Sequence, residues 1–295
     1  MIKETFYTMN SPISIALITD THNHPADQVI RSLEKNKTDI ICIAGDFVYA
    51  RLPEEGLKME ESDYAVELLK ECSKLAPTFV SIGNHEWMIN DRDVEIIKST
   101  GVTLLHNDYV HLHGLCSNTS RNKESRDILI GGLTSASYMA YRAYCASLTD
   151  ENLNSNNNDN VNESETGSEI RPESTTIYPL LKPRSAVIRD YKPENNWLSW
   201  LDQFCQEEGY KILLCHHPEY YPLYLKERQI DLILSGHAHG GQIRIMGKGI
   251  YAPGQGLFPK LTSGIVDQRL VISRGLANNT LIPRLWNPEE IIYIQ

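Results

Sequence analysis

Five short runs of apolar, mostly β-branched residues punctuate the chain, and each ends in a polar cluster. Residues 14–19 (SIALIT) run into Asp20-Thr21-His22, 39–44 (DIICIA) into Gly45-Asp46, and 78–82 (TFVSI) into Gly83-Asn84-His85-Glu86. Two more come late: 210–215 (YKILLC) precedes His216-His217, and 230–235 (IDLILS) precedes Gly236-His237-Ala238-His239. Unbroken apolar runs of this length predict buried strands. Between them apolar positions recur at helical spacing, over 27–35 (Val29, Ile30, Leu33), 62–75 (Val66, Leu69, Cys72), 90–98, and 194–207 (Trp197, Leu201, Phe204). Ser62 and Asn90 are the expected N-caps. Strand, polar turn, helix, strand is the rhythm of α/β architecture, in which ligands gather beyond the carboxyl ends of the strands. All five polar clusters fall there.

From about 243 to 295 short apolar runs alternate with Gly and Pro, which predicts strands and hairpins that extend one sheet and shape a rim of the site. Gly131-Gly132 predicts a tight turn, since no Lys or third Gly completes a phosphate cradle. The stretch 150–176 is poor in apolar residues and rich in Asn, Ser and Glu, and predicts a disordered surface insertion. Polar clusters on both sides of it must meet at one site, so residues 1–295 are expected to form one catalytic domain.

Composition narrows the function. Hydrophobic residues at 41% with 18 Gly exclude collagen-like and wholly disordered chains. The net charge of −10 is largely local, because 150–176 carries seven carboxylates against one Arg171; the remainder is nearly balanced. Nothing makes the even basic footprint of a non-specific nucleic-acid binder, and no sequence-specific nucleic-acid binding is expected either. The six cysteines form no C-x-x-C pair, the N-terminus lacks a basic and apolar leader, and no long apolar stretch occurs. A cytoplasmic protein without a membrane span is the expectation.

Together the clusters supply Asp20, His22, Asp46, Asn84, His216, His237 and His239. Oxygen donors mixed with neutral imidazoles suit Mn, Fe or Zn better than Ca or Mg, and the absence of cysteine argues against a structural zinc knot. These donors are too many for one ion. Two ions roughly 3.5–4 Å apart, bridged by a carboxylate, clamp the attacking and leaving oxygens of an in-line phosphoryl displacement.

The blocks D-x-H, G-D, G-N-H-[DE], H and G-H-x-H, in this order, resemble those of the calcineurin-like metallophosphoesterases, over 13 to about 294. The run Gly236-His237-Ala238-His239-Gly240-Gly241-Gln242 and the tail from Ser273-Arg274-Gly275 to Asn287-Pro288-Glu289 are similar to a bacterial-type branch that includes phosphodiesterases and lipid-sugar pyrophosphatases. The resemblance implies an α/β fold of two mixed β-sheets packed as a sandwich and flanked by helices. It implies that Asp20, His22 and His239 hold one metal and Asn84, His216 and His237 the other, with Asp46 bridging, and that a metal-bridging hydroxide attacks phosphorus. His85 would not be a ligand but would face the leaving-group oxygen as general acid.

Two departures stand out. Tyr49 occupies the position where the family commonly carries an Asp that orients the catalytic histidine. Ala50 stands where phosphoprotein phosphatases carry Arg, with Arg51 one later, which weighs against a protein substrate. The expected activity is therefore dinuclear metal-dependent hydrolysis of a small-molecule phosphodiester or pyrophosphate. Two ions of Mn²⁺ and/or Fe are expected, with Zn²⁺ a further candidate. A phosphomonoesterase on the same site and a non-catalytic metal-binding scaffold are the alternatives; the H-x-H-x-D-H of metallo-β-lactamases does not occur. No protein partner is implied. Around this set, His217 is a supporting or substrate-contact candidate, Arg274 a phosphate contact or a salt bridge, and His111-Leu112-His113 an exposed hairpin. His24 belongs to the loop that opens the first helix, and Tyr138, Tyr141 and Tyr144 form a core or rim stripe.

Overall fold

Two six-stranded sheets take up the apolar runs. In the first, β1 (Lys3–Tyr7), β2 (Ile15–Ile18), β3 (Ile40–Ala44), β4 (Thr78–Ser81), β5 (Thr103–Leu105) and β16 (Glu290–Ile294) lie in the order β1-β16-β2-β3-β4-β5. In the second, β6 (Asp108–Leu112), β7 (Ile128–Leu133), β8 (Tyr210–Cys215), β9 (Leu232–Ser235), β14 (Gly264–Val266) and β15 (Leu270–Ile272) lie in the order β14-β15-β9-β8-β7-β6. Both are mixed: β2, β3, β4 and β5 run parallel, as do β7, β8 and β9, while β16 pairs antiparallel with β2 and β6 with β7. Between the last strands lie two small hairpins, β10 (Arg244–Ile245) with β11 (Lys248–Gly249) and β12 (Tyr251–Ala252) with β13 (Gly256–Leu257). The computed structural model describes residues 2–49, 62–86, 89–112, 127–135, 198–278 and 282–295. The 150–176 insertion, Ala50, Arg51, His113 and the tyrosines 138, 141 and 144 lie outside them.

The tail differs from expectation. Its strands extend both sheets, because β14 and β15 join the second while β16, buried along its whole length, enters the first between β1 and β2. Gly131 and Gly132 form no turn but lie inside β7. A Cβ on Gly132 would stand 2.4 Å from Leu105 Cβ and 2.8 Å from its carbonyl oxygen, so glycine is required for the close approach of the two sheets there.

Helices α1 (Asp27–Lys35), α2 (Asp63–Leu75) and α3 (Asp91–Ser99) cover the outer face of the first sheet, where Val29, Leu33, Leu69, Cys72 and Ile97 meet Ile18, Ile41 and Ile43. Asn90 caps α3 reciprocally: its side chain accepts from Asp93 N at 3.1 Å, and the Asp93 carboxylate accepts from Asn90 N at 2.9 Å. Helix α4 (Ser199–Gln206) backs the second sheet through Leu201 and Phe204. Between the sheets Ile15, Leu17, Ile40 and Cys42 pack with Ile130, Ile212, Leu214 and Leu234. Each such aliphatic side chain contributes about 1.5–3 kcal/mol on burial. This dry layer fixes how far apart the loops at the strand ends can sit. Among the described residues no helix is long and apolar enough to cross a membrane.

Candidate metal centre

The parallel strands of both sheets deliver their carboxyl ends to one place. Asp20 and His22 follow β2, Asp46 follows β3, Asn84 and His85 follow β4, His216 follows β8, and His237 and His239 follow β9. The two sheets are tied there, since His216 Nδ1 donates to the Ala44 carbonyl at 2.8 Å and His237 N donates to Asp20 Oδ1 at 3.1 Å. Gly45 and Gly83 let the β3 and β4 loops touch. A Cβ on Gly45, whose φ is +79°, would lie 2.7 Å from Gly83 Cα.

Asp20, His22, Asp46, His237 and His239 all sit in the left-handed region, with φ between 45° and 63°. Non-glycine residues pay about 1–3 kcal/mol each for such backbone, and it persists where surrounding structure enforces it. Here it turns successive side chains toward one volume. Ligand-type atoms of Asp20, His22 and His239 fall within coordination reach of one another, as do those of Asp46, His216 and His237. A further group, His22, Asp46 and His85, overlaps both. Asp20 Oδ1 lies 3.6 Å from His239 Nε2, and Asp46 Oδ2 lies 3.1 Å from His216 Nε2 and 3.9 Å from His22 Nε2.

These residues fit divalent cations. Asp20 and Asp46 are fully buried, and among the described residues no Lys or Arg forms an ion pair with either. Buried carboxylates without a cation are costly unless one is supplied. Asn84 Oδ1 is a buried acceptor with no hydrogen-bond partner. His216 and His239 spend Nδ1 on backbone carbonyls, which fixes the tautomer and leaves Nε2 facing the carboxylates. Burial holds His22 and His237 well below the usual histidine range, so both are neutral and ready to coordinate. Burial lowers His216 too, but the Asp46 carboxylate overrides it and carries His216 up to about 10. Burial alone would raise Asp46; His216, His85 and His22 hold it well below the carboxylate range.

His85 occupies the rim, with its side chain 16% exposed where those of His22 and His216 are sealed. Its ring stacks on Tyr49 at 5.6 Å between centroids and meets His22 edge-on at 4.6 Å. Tyr49 thus packs against the histidine from the position where the family's carboxylate would stand. His217 flanks the centre, its ring 4.2 Å from that of His237 and its Nε2 2.8 Å from Ser135 Oγ. Burial pushes it down to about 3. Arg274 faces Glu290 at 3.6 Å, as a salt bridge would, and His24 is exposed beside α1.

Two carboxylates received no role in the sequence reading. Glu86 is fully buried and accepts from Gly83 N at 2.7 Å, Asp46 N at 2.9 Å and Val48 N at 3.1 Å. It thereby clamps the β3 loop to the β4 loop. Burial and the nearby Asp46 push its carboxyl up to about 8 against the pull of these donors. Glu86→Gln is expected to replace one acceptor by an amide N–H facing a backbone N–H, costing about 1–3 kcal/mol; denaturant unfolding would register it, and unchanged stability would contradict the clamp. The second is Glu219, whose buried Oε2 lies 3.9 Å from His217 Nδ1 and which groups with His217 and His237. The H-H-P-E run alone carries no spacing that marks it.

A buried carboxylate–imidazole cluster thus gathers at the carboxyl ends of strands from two facing mixed sheets. Residues 13–241 match the family model described as calcineurin-like phosphoesterase, and the chain belongs to that family. A stretch of 88 residues is 35% identical to the uncharacterized protein YpbG of Bacillus subtilis, covering 28% of this chain and 34% of that one, so the match spans about a third of the curated relative. Among solved structures, the chain is similar to the calcineurin-like phosphoesterase YfkN from Bacillus subtilis, at 14% identity and a TM-score of 0.47, over 89% of this chain and 81% of that one. It is also similar to a dimetal phosphatase from Danio rerio, at 11% identity and a TM-score of 0.45, over 90% and 88% of the two chains.

Proposed function

We propose that the chain hydrolyses a phosphodiester or pyrophosphate at a two-metal centre, in line with the bacterial-type branch its motifs resemble. Asp20, His22 and His239 would hold one ion, Asn84, His216 and His237 the other, and Asp46 would serve both. The observation that carries this reading is the position of Asp46 Oδ2, which lies between His216 Nε2 at 3.1 Å and His22 Nε2 at 3.9 Å, one from each group. When bound, two divalent cations supply Lewis-acid activation of water and of the phosphoryl group. The protein's own part is to keep His22 and His237 neutral by burial, to fix the rings of His216 and His239 through backbone carbonyls beside two buried carboxylates, and to place His85 Nε2, 4.0 Å from Asp46 Oδ2, where a proton can pass to the leaving oxygen.

The run from Gly236 to Gln242 and the tail from Ser273 to Glu289, similar to that branch, support a diester or pyrophosphate linkage. Mixed oxygen and imidazole donors favour Mn²⁺ and/or Fe, with Zn²⁺ a further candidate. The same reading takes 1–295 as one catalytic domain, supported by the pairing of β16 with β1 and β2. It places the enzyme in the cytoplasm, supported by the free thiols Cys42, Cys72, Cys205 and Cys215. Metal-stripped protein reloaded with Mn²⁺ is expected to cleave an aryl phosphodiester at least ~10-fold faster in kcat/KM than the matching monoester. Faster monoester cleavage would overturn the substrate class and leave the metal centre standing.

A further inference from the structure

One hairpin turn and two bends beside the metal centre each raise a large apolar side chain into solvent. Met246 is 98% exposed, Phe258 75% and Trp286 77%. All three stand in the left-handed backbone region, with φ of 50°, 54° and 52°. Bulky residues are genuine outliers there, and a solvent-facing turn would ordinarily use Gly, Asn or Asp. Their neighbours Ile245, Leu257 and Leu285 are exposed as well.

The turns form one rim. Arg244 N donates to the Leu285 carbonyl at 3.0 Å, Ile250 N to Ile243 O at 2.9 Å, and Phe258 N to Ile250 O at 2.9 Å. That rim adjoins the site directly: Asn287 Nδ2 donates to the His239 carbonyl at 2.7 Å, and Ile250 N donates to Gly241 O at 3.1 Å. The charge around it is opposite in sign to that of the whole protein. In a chain of net charge −10, residues 236–266 contain no Asp or Glu and carry Arg244, Lys248 and Lys260, both lysines exposed.

We infer that this rim is a peripheral docking surface for an anionic lipid bilayer, seating Met246, Phe258 and Trp286 at the headgroup–acyl boundary with Lys248 and Lys260 against the headgroups. Short apolar pairs raised on three separate bends suit a fluid interface better than a protein groove, which rewards a continuous complementary face. Trp and Phe beside lysines are the composition of interfacial anchors, and an apolar insertion joined to cationic attraction supplies the two signals that stable peripheral binding needs. Docked this way, the enzyme would present its metal centre toward the membrane surface.

The test is flotation of the full chain with vesicles of phosphatidylcholine and phosphatidylglycerol, against phosphatidylcholine alone, and it requires no bound metal. Wild-type protein is expected to float with the anionic vesicles. M246N/F258N/W286N is expected to bind at least ~30-fold more weakly. Lys248→Gln and Lys260→Gln are each expected to weaken it by about 5-fold, an effect that fades with added salt. Asn tolerates left-handed backbone, so the triple variant is expected to keep the wild-type melting temperature and its rate on a soluble aryl phosphodiester. Wild-type protein that ignores anionic vesicles, or a triple variant that binds them equally, would overturn the proposal. So would a wild-type dimer that the triple substitution dissociates without any vesicle binding, which would assign the rim to a second copy of the chain.

Discussion

Replacing Asp46 by Ala is expected to reduce phosphoester hydrolysis by at least ~10³-fold and to lower bound metal below two ions per chain. Its Oδ2 lies 3.1 Å from His216 Nε2 on one side and 3.9 Å from His22 Nε2 on the other, whereas Asp20 Oδ1 stands 3.6 Å from His239 Nε2 and 3.9 Å from His216 Nε2. The Asp46 Oδ1 accepts from His85 N at 2.8 Å, so the same carboxylate also positions the loop after β4. On the proposed two-metal reading, truncation would remove a ligand for both ions and the spacing between them. Elemental analysis of Mn²⁺-reloaded protein, paired with turnover, reads both effects. An Asp46→Ala variant that keeps two ions and its activity would remove the bridging role.

His85→Ala is expected to behave differently, keeping its metal while losing about 10²–10⁴ in rate. Its side chain is 16% exposed where those of His22 and His216 are sealed, so removing it leaves the two groups around Asp20 and around Asp46 intact. A general acid matters most when the leaving group is poor. The loss is therefore expected to shrink as the leaving-group pKa falls, and a rate deficit independent of leaving group would contradict proton donation. Metal loss in this variant would make His85 a ligand instead, since its imidazole also falls within reach of His22 and Asp46. Tyr49 contributes by packing, with its ring 16° from parallel to that of His85. An aromatic neighbour restricts the imidazole's orientation without the charge that a carboxylate would add.

How legible each part was in the sequence follows from burial. Strands β2, β3, β4, β8 and β9 are buried at every position, so each reads as an unbroken apolar run, and the residues that follow them announce the site. Strands β1 and β6 are edge strands with no fully buried position, and KETFY and DYVHL give no such run. The placement of β16 beside β1 depends on contacts nearly the whole chain apart, which no local pattern encodes. Glycines at 131 and 132 look like a turn because local chemistry cannot show that Leu105 packs directly over Gly132 and that Trp200, Leu213 and Phe204 pack over Gly131. The candidate ligands stand out because coordination demands particular side chains, and these follow the buried strands. Glu86 does not, because it works through backbone N–H groups, which every residue possesses.

Anomalous X-ray scattering at the manganese edge, from crystals of Mn²⁺-loaded protein, tests the two-metal centre most directly. The account predicts two peaks, one enclosed by Asp20, His22 and His239 and the other by Asn84, His216 and His237, with the Asp46 carboxylate contacting both. A single peak, or a peak seated instead among His217, Glu219 and His237, would contradict it.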